Sequence, residues 1–312
     1  MSLLEKQISK SSLSIVPDDV SDDLQLIIDN IDGRPPIFGD GGDDVIDGTK
    51  KNDTIFADPT VLDDVGGDDV VYAGKGDDVV YTFGGNDVVY GAGGDDTIQT
   101  ADGDDSVYAG SGADDVQSGR GRDLVMGGKG DDSLRGGEDD DHLYGGSGND
   151  RIIGGSDDDT LEDGTGKDRL EGRSGDDDHL YGGPGNDRII GGSDDDTLED
   201  GTGKDRLEGR SGDDLIVLVD DGESDRVQIL NDDVNDGVDT IRGFNTDDPD
   251  NGGDKLDLRD IKEAQFEVVQ VCDQALIYAT TADVPDPTLL AVVENVSVAD
   301  LLDENIRIAD DS

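Results

Sequence analysis

From Asp64 to Val217 one aliphatic residue recurs every nine positions, and an aspartate two residues before it recurs with the same period. With the unit numbered one to nine, the aspartate is sixth and the aliphatic residue eighth, from Ile46 and Ile55 through Val71, Val89, Leu134 and Leu170 to Ile216. Two units, Gly39 to Asp47 and Gly48 to Phe56, precede the continuous run, and one member, Gly172 to Tyr181, has ten residues. Positions seven to nine alternate outward, inward, outward, as in a short strand. The glycine-rich first six positions supply left-handed and turn conformations. A three-residue strand cannot bury its single apolar side chain alone, so the units must stack. Alternate units most simply form the two facing parallel sheets of a flattened solenoid. The pattern therefore predicts an all-β chain with residues 39–217 as its repeat array.

Composition sharpens this. The 312 residues hold 4% aromatics and no Trp, too little for a conventional packed core. With 80 acidic against 24 basic residues, the formal net charge is -56, a composition that stays unfolded unless something neutralises it. Nucleic acid and anionic membranes are disfavoured as partners because phosphate contacts need clustered Lys and Arg. Cations are the natural partner. A single cysteine, Cys272, rules out an intramolecular disulfide. No stretch approaches the roughly 18 apolar residues of a membrane span, and "MSLLEKQISKSSLSIVPDDV" lacks the apolar run of a cleaved signal peptide. Zinc or copper would call for His and Cys. The only histidines, His142 and His179, are copies of one outward position.

The sixth position is aspartate in all nineteen units: Asp44, Asp53, Asp69, Asp78, Asp87, Asp96, Asp105, Asp114, Asp123, Asp132, Asp141, Asp150, Asp159, Asp168, Asp178, Asp187, Asp196, Asp205 and Asp214. A disordered acidic tail needs no such fixed phase. The units "GGKGDDSLR", "GGSGNDRII" and "GAGGDDTIQ" resemble the G-G-x-G-x-D-x-U-x nonapeptide of the RTX, or hemolysin-type calcium-binding, proteins. The resemblance implies a right-handed parallel β-roll with two repeats per coil. It also implies multiple Ca²⁺ ions between the turns of successive coils, with the sixth-position carboxylates and turn carbonyls as ligands. The residues are compatible on their own account, since Ca²⁺ takes six to eight hard oxygens at flexible geometry. A column of such turns repeats them at the strand spacing of about 4.8 Å. One ion between each unit and the next but one gives at most about 17 sites, which would cancel roughly 34 of the excess negative charges.

The irregularities carry information. Residues 139–175 and 176–212 are a tandem copy of 37 residues, identical except for Ser147 against Pro184, and the copy still spans four units. Asp139, Asp157 and Asp194 replace glycine at position four, where aspartate tolerates a left-handed backbone better than most residues. Arg122, Lys167 and Lys204 bring positive charge to position five, where weaker calcium affinity is expected. The stretch "ADPTVLD", 57–63, interrupts the array and either displaces the first coil or makes it part of a cap. Outward positions form columns: Tyr72, Tyr90, Tyr108, Met126 and Tyr144 on one sheet, and Arg151, Arg169, Arg188 and Arg206 on the other, the arginines to be paired with Glu171 and Glu208. In "GGKGDDSLR", Asp132 is the expected ligand, Asp131 contributes mainly to the local field, and Leu134 is the unit's whole share of the core.

Outside the array, residues 1–38 read as an N-terminal segment whose alternating stretch Leu13 to Gly33 suits a short strand cap. Residues 218–312 begin with eroded units that retain Asp225 with Val227 and Asp239 with Ile241. "GVDTIRGF", 237–244, and "GGDKLDLRDI", 252–261, resemble the segment that closes the β-roll in RTX proteins exported by type I secretion. The tail Leu289 to Ile308 suits a β-rich cap followed by an uncleaved C-terminal export signal. The expectation is a secreted, extracellular calcium-binding protein that folds on meeting Ca²⁺ outside the cell, with the type I secretion apparatus as a partner. The alternative is an adhesin or matrix component presenting a surface such as the Tyr column to a cell-surface or matrix partner. Catalysis is not expected, since the chain carries neither H-E-x-x-H nor G-x-S-x-G.

Overall fold

The computed structural model describes residues 35–39, 42–58, 66–174, 177–229, 237–247, 253–258, 265–280, 288–302 and 306–307. The chain forms a parallel β-solenoid in which alternate units feed two sheets. One sheet, of 13 strands, begins with Ile37–Phe38, Thr54–Phe56 and Val79–Tyr81 and runs through Ser133–Glu138 to Arg226–Gln228, Lys255–Asp257 and Ile306–Arg307. The other, of 16 strands, begins with Val45–Thr49, Val70–Lys75 and Val88–Gly93 and reaches Asp239–Arg242 before a terminal hairpin. Each coil is two units. Val71 lies beside Val89 and Val89 beside Val107 on one sheet, and Val116 beside Leu134 and Leu134 beside Ile152 on the other. The eighth-position side chains stack as two ladders, fully buried between the sheets from Ile55 to Ile216.

The strands are longer than the nine-residue pattern predicts. Val88–Gly93 and Ser133–Glu138 each hold six residues and continue through positions one to three of the next unit. Position one therefore faces inward as well. Ala73, Ala109, Thr82, Thr100 and Ser118 are buried there, so the aliphatic residue is not the unit's whole share of the core. The first-position hydroxyls are satisfied by backbone one coil on: Thr82 donates to the Thr100 carbonyl at 3.3 Å and Thr100 to that of Ser118 at 3.1 Å. The pattern conceals this because small residues at position one carry no hydropathy signal, yet they permit the close sheet spacing of so narrow a core.

Insertions are absorbed in turns without loss of register. Across the 57–63 interruption Thr54 pairs with Val79 and Val45 with Val70, so the first coil stays in both sheets and is not displaced. A further strand, Ile37–Phe38, precedes it. In the ten-residue unit Gly155 pairs with Arg173 and Thr160 with His179, which confines the surplus residue to the turn between Arg173 and Asp178. The single difference between the 37-residue copies has a visible effect. Where Ser147 lies within the unbroken strand His142–Gly148, its counterpart Pro184 splits the strand into His179–Tyr181 and Pro184–Gly185. Proline has no N–H to give the ladder.

Past residue 217 both sheets continue. Val227 pairs with Leu207 and Ile241 with Ile216, and Leu256 extends the column beyond Val227. The 16-stranded sheet then ends in an antiparallel meander of Gln265–Val271, Gln274–Thr280 and Thr288–Glu294, the last pairing parallel with Asp239–Arg242. Ala275, Ile277, Ala291 and Val293 bury against the roll, joined by Leu301 of a short helix, Val298–Leu302. The N-terminal stretch Leu13 to Gly33 lies outside the described residues. No helix among the described residues is long and apolar enough to cross a membrane.

Candidate metal centre

The sixth-position aspartates occupy the edge where each turn enters its strand. Asp44 is half-buried and the other eighteen are buried. They form an unbroken chain of contacts on each side of the roll. The N–H of each donates to Oδ1 of the aspartate one coil later: Asp87 to Asp105 at 2.8 Å, Asp96 to Asp114 at 2.7 Å, Asp114 to Asp132 at 2.9 Å and Asp132 to Asp150 at 2.8 Å. One carboxylate oxygen thus caps a backbone donor that the turn leaves unpaired. The other does nothing of the kind. Oδ2 of Asp96, Asp114, Asp132, Asp141, Asp150 and Asp159 is buried and has no hydrogen-bond partner.

A column of buried, orphaned carboxylate oxygens is costly in isolation. Burial pushes the carboxyls of Asp96 and Asp150 up to about 7 and that of Asp159 up to about 8, with the backbone donor offsetting part of the rise and neighbouring aspartates adding to it. The orphan oxygen lies over the first residue of its own unit. A Cβ built on Gly136 would meet Asp141 Oδ2 at 2.0 Å, and one on Gly154 would meet Asp159 Oδ2 at 2.2 Å. Turn carbonyls crowd the same edge. Gly130 has φ +124°, and a Cβ there would lie 1.7 Å from the Gly112 carbonyl oxygen of the preceding coil. Glycine is required there both for the left-handed backbone and for the close approach of successive turns. Asp139, Asp157 and Asp194, which replace glycine at position four, do hold φ of +74°, +79° and +75°.

Position five carries a second ladder. Asn149 N–H donates to Asp131 Oδ1 at 2.8 Å, Asn86 to Asp68 at 2.7 Å and Asp104 to Asn86 at 2.8 Å. Here the acceptor is in the earlier coil and the donor in the later, opposite to the sixth-position ladder. Asp131 is therefore more than a source of local field. The signal was present in the frequent Asp or Asn at position five, both of which offer an acceptor oxygen. These bonds are exposed, and Ala113 and Arg122 donate into the ladder without being able to continue it.

The array also reaches further than nineteen units. Asp205 donates to Asp225 at 2.9 Å, Asp225 to Asp254 at 3.1 Å and Asp214 to Asp239 at 3.4 Å. Asp254 was hidden because "GGDKLDL" keeps the aspartate and the aliphatic residue but has lost the turn spacing on which the period was counted. Two further buried carboxylates, Asp163 and Asp200, occupy position one. Each meets two ladder aspartates, Asp163 with Asp168 and Asp187, and Asp200 with Asp205 and Asp225, with ligand oxygens within 4.8 Å of one another.

The outward columns form as expected. Tyr72, Tyr90 and Tyr108 stack at 5.0 Å between successive rings. Arg169 reaches Glu171 at 3.0 Å and Arg188 reaches Glu208 at 3.2 Å. In register with Glu171 on the outer face, Ile153, Ile190 and Glu208 are buried, although alternation alone assigns that face to solvent. His142 and His179 are exposed.

Oxygen-only donors, repeated at coil spacing, with orphan carboxylate oxygens from Asp87 to Asp168 and turn carbonyls at the same edge, fit a hard divalent cation such as Ca²⁺. Among curated proteins none matches the chain. A family model described as the RTX calcium-binding nonapeptide repeat matches residues 38–59 and, in overlapping segments, 64–216, which is more than half of the sequence. Fold, aspartate column and family match agree that this is a calcium-binding parallel β-roll, and the chain belongs to the RTX calcium-binding repeat family.

Proposed function

We propose that the chain is a secreted calcium-binding protein that is unfolded at low Ca²⁺ and folds outside the cell by filling sites along the roll. The sixth-position aspartates from Asp44 to Asp214 serve as ligands, extended by Asp225, Asp239 and Asp254. The observation that carries this reading is the column of buried second oxygens without hydrogen-bond partners. A net charge of -56 makes the same demand at the scale of the whole chain. Because only the folded turns assemble the ligands, Ca²⁺ stabilises the native state by mass action. Affinities of about 10⁻⁴ to 10⁻³ M, typical of extracellular modules, keep such a switch off in the cytoplasm.

In this reading residues 39–217 are the roll and 1–38 an N-terminal segment. Residues 218–312 close the roll and carry the signal for a type I secretion apparatus. The roll itself is structural, in keeping with a family fold that is typically non-catalytic. Circular dichroism with Ca²⁺ titrated against a chelator tests the switch. A β-rich spectrum that persists in chelator at neutral pH would sink it. Export is tested by coexpression with a type I exporter, where loss of residues 289–312 should retain the chain in the cell. The exposed, stacked Tyr72 and Tyr90 favour a second reading, in which the roll presents an adhesive surface. Binding to a glycan or cell-surface array that vanishes on Tyr90→Ser with Tyr108→Ser would select it.

A further inference from the structure

From Ala73 to Gly209, position one of the described units holds Gly, Ala, Ser or Thr, except at Asp163 and Asp200. The exceptions sit where the first-position side chain points at the second oxygen of the unit's own ladder aspartate, as the glycine geometry shows. At this address Thr82, Thr100 and Ser118 carry neutral hydroxyls that donate to carbonyls one coil on and add no charge beside the ladder aspartates. An ionised aspartate has no proton to donate. It adds a third negative group to a buried pair.

Asp163 is 0% exposed and neither of its oxygens has a hydrogen-bond partner. The second oxygens of Asp168 and Asp187, which complete its cluster, are orphaned in the same way. Asp200 repeats the arrangement with Asp205 and Asp225 two coils on, its Oδ1 accepting from Gly201 N–H at 2.6 Å and Val219 N–H at 2.9 Å. Position five of these same units is Lys, and Lys204 turns outward to Glu223 at 3.1 Å, so it leaves the buried trio uncompensated. Relative to "GGKGDDSLR", "DGTGKD" has shifted a carboxylate from the exposed turn to the interior.

We propose that Asp163 and Asp200 each complete a three-carboxylate Ca²⁺ site, distinct from sites served by ladder aspartates alone, and that these two sites fill first when Ca²⁺ is scarce. Three charged oxygens in place of two raise affinity for a hard cation, since ligand charge count sets Ca²⁺ affinity in oxygen cages. This reverses the expectation that Lys167 and Lys204 mark weak units. The 37-residue duplication then doubled the tight site along with the coils around it.

The inference rests on the calcium reading above, and the experiment separates the two. Calorimetric Ca²⁺ titration of the full chain in metal-free buffer should resolve about two ions per chain that bind at least about tenfold tighter than the rest. Asp163→Gly with Asp200→Gly restores the residue most units carry at position one. It should abolish that class while leaving the spectrum at saturating Ca²⁺ unchanged. Asp163→Asn with Asp200→Asn should abolish it too. A single affinity class in the parent chain overturns the inference but not the calcium reading, whereas no Ca²⁺ binding overturns both. A tight class that survives the Asn pair also overturns it, because the third carboxylate charge would then not be what sets the affinity.

Discussion

The backbone N–H of Asp132 is held by Oδ1 of Asp150 at 2.8 Å, one coil later, and the second oxygen of Asp150 is buried with no donor to meet. One side chain thus joins two coils and leaves a charge that only a proton or a cation can balance. Asp150→Ala should lower stability in saturating Ca²⁺ by about 1–3 kcal/mol, the cost of an unsatisfied buried donor, and should raise the Ca²⁺ midpoint for folding. Asp131→Ala removes only the exposed bond to Asn149 and should cost well under half as much. Denaturant unfolding at fixed Ca²⁺ compares the two.

Acid should substitute for calcium. Burial raises the carboxyls of Asp96, Asp150 and Asp187 to about 7 and those of Asp141 and Asp159 to about 8, against about 3.9 in an unfolded chain. Between those values the folded state binds more protons than the unfolded one, so without Ca²⁺ stability falls as pH rises. The protonated fold is favoured below about pH 4 and lost on passing through about pH 7 to 8. With Ca²⁺ present the ion takes the proton's place and the slope reverses. Spectra in chelator that gain β structure as pH rises would contradict this.

Leu134 lies between Val116 and Ile152 in its ladder and is fully buried. Leu134→Ala should cost about 2–5 kcal/mol, because a core one side chain wide cannot collapse around the cavity. The loss should appear as a lower unfolding midpoint in Ca²⁺, with unchanged ion stoichiometry in the variant molecules that fold.

Gly148 has φ +145°, and a Cβ there would lie 1.7 Å from the Gly130 carbonyl oxygen. Gly148→Ala should therefore separate two turns and disturb the metal edge, costing about 1–3 kcal/mol from overpacking alone. Asp157→Gly, at the same place in the next unit, relieves a left-handed aspartate and should be neutral or stabilising. Thermal unfolding of the two variants at equal Ca²⁺ should shift in opposite directions, or shift only for Gly148→Ala.

Tyr90 touches Tyr72 and Tyr108 on the outer face, each at 5.0 Å between rings. Tyr90→Ser should cost about 1–3 kcal/mol, the sum of two ring contacts at roughly 0.5–1.5 kcal/mol each. The Ca²⁺ stoichiometry should not change, since the Tyr90 ring stands on the outer face of its strand and not among the ladder aspartates.

What could be read in the sequence was whatever recurs with a fixed phase and an unmistakable side chain. Asp132 and Leu134 announce the ladder and the core because every unit repeats them. Ala73 and Thr100 went unread because small residues pack inward without a hydropathy contrast. The buried outer-face Glu208 is held by Arg188 of the neighbouring coil as well as Arg210 of its own strand, and the former is a relation between units that a one-unit template does not contain. Asp163 and Asp200 were visible as departures at position one, but their meaning required knowing that this position faces the ladder.

The direction of the Asp132 to Asp150 bond gives the roll a polarity. Every sixth-position amide waits for a carboxylate that lies further along the chain, from Asp44 waiting for Asp69 to Asp225 waiting for Asp254. No coil is therefore complete by itself, since its buried amide is satisfied only by a side chain of the coil that follows. Among the described residues, Asp254 supplies the last such acceptor on its side of the roll, which is where the closing strands take over.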